Sequence, residues 1–311
     1  MNTQTMTTTT STLVPATQAA PQPSAPSISS AALLVELSIR TWTGRKLDKR
    51  ASEEVTTSHN ANKGVANVNK KILGDCAELD AVQKFAANAR NAHYASTLPW
   101  SDTGIRLVTT RNYFKYNEAM TALQQEFERL VDKFLQAYSW QVSQAQLRLG
   151  DLFNPMDYPS TDSLRSRFSF GINFMPVPEA GDFRLDINNE AQQQITEHYT
   201  KYYETQLATA MGSIWERAKD ALTKMSERLD YADSTTKKIF RDSLVDNVLE
   251  VVDIMDTCNI TGDTHMSAIK TRLKEALSGV TPDALRQDDS YRLSTKQHID
   301  AAIAALPSLD F

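Results

Sequence analysis

Residues 33–50 read LLVELSIRTWTGRKLDKR, a stretch that joins a strand pattern, a glycine turn and a run of basic residues. From position 35 to position 40 apolar and polar side chains alternate, which is typical of a β-strand with one buried face. The pattern predicts a strand over 33–40 that ends in the turn at Thr43 and Gly44. Most of the remaining chain shows helical periodicity, so we expect an α+β fold that is predominantly α-helical.

Two long apolar stripes follow at helical spacing. The first runs from Tyr116 to Leu149 with a mean spacing of about 3.7 residues, and the second runs from Ile195 to Leu229 with about 3.8. At a rise of ~1.5 Å per residue each stripe predicts a helix of roughly 50–60 Å. We expect two helices of this length to pack antiparallel against each other.

The segment between the two stripes alternates instead with a period of two. Alternation appears on both sides of a turn-like stretch at 178–181, which predicts a β-hairpin over 167–188. Strand 33–40 is expected to pair with this hairpin in a small antiparallel sheet, because about three strands are needed for a stable one. Helical patterns after position 236 predict a C-terminal helical cap.

The chain is expected to divide into three parts. Residues 1–30 are rich in Thr, Pro and Ala and carry few large apolar groups, so they predict a disordered tail. Residues 31–235 are expected to form the helical core with its small sheet. Residues 236–311 are expected to form a helical subdomain packed on that core.

Composition narrows the classes of protein that fit. The net charge of −5 argues against a general nucleic-acid coat, although a local basic patch is compatible with it. Two cysteines give no disulfide framework. No apolar run reaches the ~18 residues of a membrane span, and the N-terminus lacks the pattern of a signal peptide. These features predict a cytoplasmic protein without a membrane partner.

The familiar catalytic and cofactor motifs are missing from the sequence. It contains no GxGxxG, GxxxxGK[ST], HExxH, CxxC or GxSxG, and its five histidines are scattered. We therefore predict no enzyme activity, no cofactor and no metal site. One alternative stays open, an enzyme whose site assembles from distant residues: Asp102, Asp157, Asp186 and His198.

The basic cluster after the first strand is the leading candidate contact site. It consists of Trp42, Arg45, Lys46, Lys49 and Arg50. Cations beside an aromatic ring suit phosphates and a stacked base, which would make the chain a nucleic-acid-binding accessory protein. The same cations would also dock an acidic protein face. A solvated turn with Trp42 in the core is the third interpretation.

Two acidic features complete the candidate sites. Asp242, Asp246, Glu250 and Asp253 recur on one helix face that points away from the apolar stripe. This acidic face is either solvated or docks a basic surface, such as the basic cluster of a neighbouring copy. The C-terminal tip, which consists of Leu309, Asp310 and Phe311, either frays or docks into a basic-rimmed pocket.

The order of several elements carries a resemblance to a known family. Trp42, Thr43, Gly44, Arg45 and Lys46 are followed by Lys70, Lys71, Ile72 and Leu73, by a turn between Pro99 and Gly104, and by the stripe Leu123, Phe127, Phe134 and Tyr138. This order, over 33–178, resembles an uncharacterised phage and bacterial family that is classed only as a domain of unknown function. The Thr/Pro-rich tail departs from the family pattern.

The resemblance implies a role but no site residues. Members of that family are often encoded near MoxR-type AAA+ ATPases and von Willebrand factor A-like proteins, which implies an accessory or adaptor function. We therefore expect a non-enzymatic interaction protein, oligomeric or bound to an AAA+ ATPase in a bacterial or phage-infected cytoplasm. Nucleic-acid binding through the basic cluster is the alternative.

Overall fold

The computed structural model describes residues 28–178, 189–231 and 241–308, with the side chains of 189–192 left out. These residues are mostly helical and contain a small antiparallel sheet, which confirms the α+β class in its coarse form. Positions 1–27 of the predicted tail, the second arm of the predicted hairpin and the C-terminal tip lie outside the described residues.

The first half of the chain alternates short strands with helices. In order its elements are α1 (Ile28–Ala31), β1 (Ala32–Arg40), β2 (Arg45–Asp48), α2 (Lys49–Ser58), β3 (Val68–Lys71), α3 (Ala77–Ser96), β4 (Leu98–Pro99), β5 (Arg106–Thr109) and α4 (Tyr113–Leu149).

The second half is almost entirely helical. Two 3₁₀ turns, Gly150–Leu152 and Pro155–Asp157, lead to α5 (Thr161–Arg165), β6 (Ser169–Pro176), α6 (Asn189–Leu229), α7 (Ser243–Thr257), α8 (Thr264–Ala276), α9 (Pro282–Gln287) and α10 (Asp289–Ala304). None of the described helices combines the length and the apolar character needed to cross a bilayer.

The main sheet has the strand order β4-β5-β1-β6. Strand β1 pairs antiparallel with β6 from Leu33 opposite Pro176 to Arg40 opposite Ser169, so the predicted pairing of the first strand with the first arm of the hairpin is confirmed. On its other edge β1 pairs with β5.

The sheet separates two apolar cores. Ala32 and Leu34 of β1 belong to one core, and Val35 and Ile39 belong to the other, because alternate side chains of a strand point to opposite faces. The start of β1 is therefore buried on both faces, whereas the sequence pattern predicted a strand with one buried face. The polar side chains of its second half, such as Glu36, remain exposed.

The two long helices contribute to different cores, which corrects the expected pairing between them. Helix α4 packs chiefly against α3 on one side of the sheet, whereas α6 packs against α7 and α10 on the other. Each apolar stripe thus finds a partner other than the second long helix. The packing groups α6 with the C-terminal helices, and the domain boundary drawn near 235 stays a prediction.

A second, two-stranded sheet lies outside the main one. Strands β2 and β3 pair antiparallel from Arg45 opposite Lys71 to Asp48 opposite Val68, and α2 connects them. We call residues 45–71 the cationic module, because they hold seven Lys and Arg residues against three carboxylates. Its local charge of +4 stands on a chain whose total is −5. The sequence left this segment ambiguous after the basic cluster.

Candidate functional site

Trp42 anchors the cationic module to the protein body. Its ring is buried, with centroids 6.1 Å from Phe134 and 6.2 Å from Tyr138 of α4, and its carbonyl accepts a hydrogen bond from Gln83 Nε2 at 2.9 Å. A ring held in this way cannot stack on a base. The burial of Trp42 assumed by the third interpretation is confirmed, and docking of an acidic protein face by the four cations stays a prediction.

Gly44 turns the chain from β1 into the module. Its φ of +63° lies in the left-handed region, and a Cβ added there would stand 2.7 Å from Leu79 Cδ2. Its carbonyl accepts a hydrogen bond from the backbone N–H of Ile72 at 2.9 Å, which ties the start of β2 to the end of β3. Only glycine meets both requirements, the backbone conformation and the close contact.

One face of the β2–β3 ribbon carries a compact ion-pair network. Lys46 and Lys70 lie directly opposite each other, and their Nζ atoms reach the two carboxylate oxygens of Asp157 at 2.6 and 3.0 Å. Lys70 also contacts Asp48 at 3.0 Å and donates to the carbonyl of Leu152 at 2.7 Å. The side chains of Lys70 and Asp157 are only 10% and 4% exposed, so this inward face fastens the ribbon to the loop after α4.

Within the network the pKa of each aspartate is lowered and the pKa of Lys70 is raised, so the charged forms stabilise one another. Burial acts to raise the pKa of Asp157, but Lys46 and Lys70 outweigh it and hold the pKa below its ordinary value. The backbone N–H of Ala51 and the ammonium of Lys70 lower the pKa of Asp48. Burial acts to lower the pKa of Lys70, yet its two carboxylate partners raise it.

The other face of the ribbon leaves its cations exposed. Arg45 lies opposite Lys71, so two like charges share one face, an arrangement that lowers sheet stability. Lys71 reaches only Asp75, at 3.4 Å, and the Asp75 side chain is almost fully exposed. Arg45 forms no ion pair with any residue that the structure describes. We call this the outward face.

Helix α2 carries basic residues at its N-terminal end, where the helix dipole disfavours positive charge. Lys49 and Arg50 occupy its first turn, which holds no acidic residue, although the helix dipole makes that end positive. Arg50 pairs with Glu54 at 3.0 Å on the exposed surface, and Lys49 has no ion-pair partner within the described ranges. Asp48 caps the helix by accepting a hydrogen bond from the N–H of Ala51 at 3.0 Å.

Grooves lie on both sides of α2. One, of about 290 Å³, is lined by Leu47, Lys49 and the ion pair between Lys63 and Glu53, and Leu47 follows Arg45 on the outward face with 43% of its surface exposed. The other, of about 470 Å³, lies between α2 and the loop after α4 and includes both cations and carboxylates: Arg50, Lys70, Asp48, Glu54 and Asp151. The first groove therefore places Lys49 beside an exposed apolar side chain.

Two of the four residues of the acidic face form ion pairs within the chain. Asp242 pairs with Arg286 of α9, and Asp253 pairs with Lys115 of α4 at 2.7 Å. Only the two middle residues, Asp246 and Glu250, are exposed without an ion pair among the described residues. Exposed ion pairs therefore offset the charge at both ends of the acidic face, and docking of a basic surface stays a prediction.

The residues of the enzyme alternative do not converge within the described part of the chain. Asp102 is exposed in a turn, Asp157 belongs to the ion-pair network, and His198 is exposed on α6; no hydrogen bond or ion pair joins any two of them. Asp186 lies outside the described residues. In those residues no group of three or more His, Cys, Asp or Glu side chains is placed to hold a metal ion.

A polar cluster at the end of α3 escaped sequence reasoning altogether. His93 Nδ1 lies 2.7 Å from Tyr116 Oη, and Arg106 and Arg217 both donate to the carbonyl of Thr97, at 2.9 and 2.8 Å. Burial, helped by the charge of Arg106, lowers the pKa of His93 to about 4, and burial beside Arg217 lowers the pKa of Arg106 to about 10. The arginines satisfy carbonyls that end the helix, which is a structural role.

Comparison with known proteins found no matching family model, no similar curated protein and no similar solved structure. The resemblance described from the sequence stays a prediction.

Proposed function

We propose that this chain is a non-catalytic interaction protein that docks an acidic protein partner through the outward face of its cationic module. The proposal rests on a difference between the two faces of the ribbon: the inward face neutralises its lysines within the chain, whereas the outward face exposes its cations. The inward lysines are neutralised by Asp48 and Asp157, whereas Arg45 and Lys49 face solvent without an ion-pair partner in the described chain.

The placement of the outward cations supports a binding role. Arg45 opposite Lys71, and Lys49 with Arg50 at a helix N-terminus, each lower the stability of the fold by local repulsion. Residues that break a local rule without a structural gain are typical of functional surfaces. A partner that brings carboxylates to this surface removes the repulsion, and Arg45 and Lys49, which form no ion pair with the described residues, are the cations it would contact first.

Two features favour a protein partner over nucleic acid. Trp42 is buried and unavailable for base stacking, and the exposed Leu47 among the cations suits an apolar side chain of a partner better than a phosphate backbone. The resemblance to a family encoded near MoxR-type AAA+ ATPases makes such an ATPase, in the cytoplasm, the first partner to test. Nucleic-acid binding is the competing outcome of that test.

The test compares two variants with the same loss of charge. The triple variant Arg45→Ala, Lys49→Ala, Lys71→Ala removes the outward cations. The control Lys84→Ala, Lys201→Ala, Lys219→Ala removes three exposed helical lysines elsewhere. Tagged full-length chains are used to capture partners from the native lysate, with and without nuclease, and captured partners are then titrated with purified chains at two salt concentrations.

The proposal predicts a protein captured in fixed ratio that survives nuclease, is lost with the triple variant and is kept by the control. Its affinity should fall roughly tenfold or more in the triple variant and should weaken with salt. Capture that disappears with nuclease overturns the proposal in favour of nucleic-acid binding. Equal capture by both variants removes the module from the contact.

A further inference from the structure

The surface of α4 changes character half way along the helix. Residues 113–133 include seven charged side chains, whereas residues 134–147 include no Lys, Arg, Asp, Glu or His. In the second half the exposed residues are Gln136, Ser139, Trp140, Ser143, Gln146 and Leu147. A helix surface of this length that faces solvent without a charge is unusual for a monomer, because exposed charge keeps proteins apart in solution.

Two large apolar side chains stand on this uncharged surface. Trp140 is 57% exposed and Leu147 is 80% exposed, and seven residues separate them, so they lie on the same side of the helix. With Gln136 and Ser143 they repeat at intervals of four and three residues, which is the spacing of a coiled-coil seam. The buried stripe of α4, which includes Phe134, Tyr138 and Ala145, uses the opposite side for the core.

Opposite charges mark the two ends of the seam. Lys133 continues the seam three residues before Gln136, and Asp151 follows Leu147 by four residues in the 3₁₀ turn after the helix. Both are exposed, and neither makes an ion pair or a side-chain hydrogen bond with any described residue. A second seam of the same sequence, run in the opposite direction, places each lysine near the aspartate of the other copy.

We propose that the second half of α4 is the contact between two copies of this chain, packed antiparallel about a two-fold axis between positions 143 and 144. Trp140 of one copy then lies opposite Leu147 of the other. Asp151 lies opposite Gln136, three residues from Lys133 and within reach of that long side chain. The two faces of the contact are identical, as a two-fold interface requires.

The chemistry of the seam matches a second copy in particular. In a two-fold interface, a charged side chain near the axis lies close to the same side chain of the other copy and is repelled by it. This seam has no charged residue near its axis. Amide and hydroxyl side chains both donate and accept hydrogen bonds, so Ser143 can pair with Ser143 of the other copy at the axis, and Gln136 can donate to Asp151. A parallel arrangement is disfavoured because it would place Lys133 beside Lys133. The contact is small, so association should be weak and concentration-dependent.

The first test measures association of the full-length chain by sedimentation equilibrium over a range of concentrations. The wild type and Leu293→Glu, which alters a half-exposed leucine of α10, should show the same monomer–dimer equilibrium. Leu147→Glu should weaken dimerisation at least about tenfold, because two carboxylates would enter an apolar contact. A monomeric wild type, or a Leu147→Glu chain that dimerises as the wild type does, overturns the proposal.

The second test reads the direction and register of the pair. Both native cysteines are buried, so a single introduced cysteine reports its own surroundings. Ser143→Cys should form a disulfide between copies under mild oxidation, whereas Ser139→Cys, one position off the seam, should not. Lys133→Asp should weaken the dimer, and adding Asp151→Lys should restore it. Equal cross-linking at both positions, or no restoration, contradicts the antiparallel register.

Discussion

On the inward face of the β2–β3 ribbon, Lys46 and Lys70 share the carboxylate of Asp157; the loop after α4 covers Lys70, whereas half of the Lys46 side chain stays exposed. On the outward face of the same ribbon, Arg45 and Lys71 stand side by side in solvent. The four residues are close in type and in position along the two strands. Their environments differ because alternate residues of a strand point to opposite sides.

The contrast separates charge that holds the fold together from charge that is available to a partner. A buried ammonium group needs carboxylates and carbonyls around it, and Lys70 has Asp48, Asp157 and the carbonyl of Leu152. An exposed guanidinium needs none of these and contributes little to stability. The four predictions below test this difference, and they run from the largest expected effect to the smallest.

Gly44→Ala should break the junction on which both faces depend. The left-handed backbone costs about 1–2 kcal/mol for alanine, and the clash with Leu79 adds a further ~1–3 kcal/mol, so we expect a loss of roughly 3 kcal/mol in unfolding free energy. Gly64→Ala is the control: it shares a positive φ but meets no atom within 4 Å, so it should lose only about 1 kcal/mol. Equal losses in urea unfolding would contradict the close contact.

Asp157→Asn should weaken the inward face without changing its shape. Removing one partner of a buried ion pair costs about 3–5 kcal/mol, and because Lys70 keeps Asp48 we expect about 2 kcal/mol. Asp75→Asn removes the exposed partner of Lys71 and should leave the unfolding free energy within about 0.5 kcal/mol of the wild type. If Asp157→Asn and Asp75→Asn lower the unfolding free energy by the same amount, burial does not strengthen the ion-pair network.

Acid should erase the difference between the wild type and Asp157→Asn. The pKa of Asp157 and that of Asp48 lie below their ordinary value of 3.8, so their stabilisation is present above that pH and is lost as the pH falls below it. Unfolding free energies measured from pH 6 down to pH 3 should therefore keep a constant gap between the two chains well above pH 3.8 and draw closer as the pH falls below it. A gap that stays constant over this range would show that Asp157 does not act through its charge.

Arg45→Ala with Lys71→Ala should have the smallest effect on stability. Removing a like-charge pair across two strands should leave the unfolding free energy unchanged or raise it by a few tenths of a kcal/mol. Binding of the acidic partner should fall while thermal unfolding stays the same. A stability loss of more than about 1 kcal/mol would mean that the outward cations are part of the fold.

The fold could be predicted in outline because hydrophobic periodicity reports local structure. The alternation from Val35 to Ile39 placed β1, and the long stripes placed α4 and α6 within a few residues of their observed bounds. Periodicity does not report which elements meet. The two long helices are the example: either stripe is compatible with several partners, and the position of the sheet between the two cores decides among them.

The candidate site was also predictable only in part, because its local residues can be recognised in the sequence and its long-range contacts cannot. The basic cluster was visible as a run of cations, but Lys70 and Asp157 lie far from it in the sequence, and nothing local links them to Lys46. A second basic segment at Lys70 and Lys71 was the available signal, and antiparallel pairing would have brought it to the first. The sequence pattern left Trp42 open between a core and a stacking surface, because an aromatic side chain serves in both.

The sequence by itself determined the first strand, the two long helices, the glycine turn at Gly44 and the positive charge of the module, since these depend on residues that are neighbours in the chain. The tertiary structure alone decided which lysines are neutralised, that Trp42 is buried, and that two acidic residues at the ends of α7 are paired within the chain. Burial and ion pairing depend on distances between remote residues, and these distances exist only after the sheet and the two cores have formed.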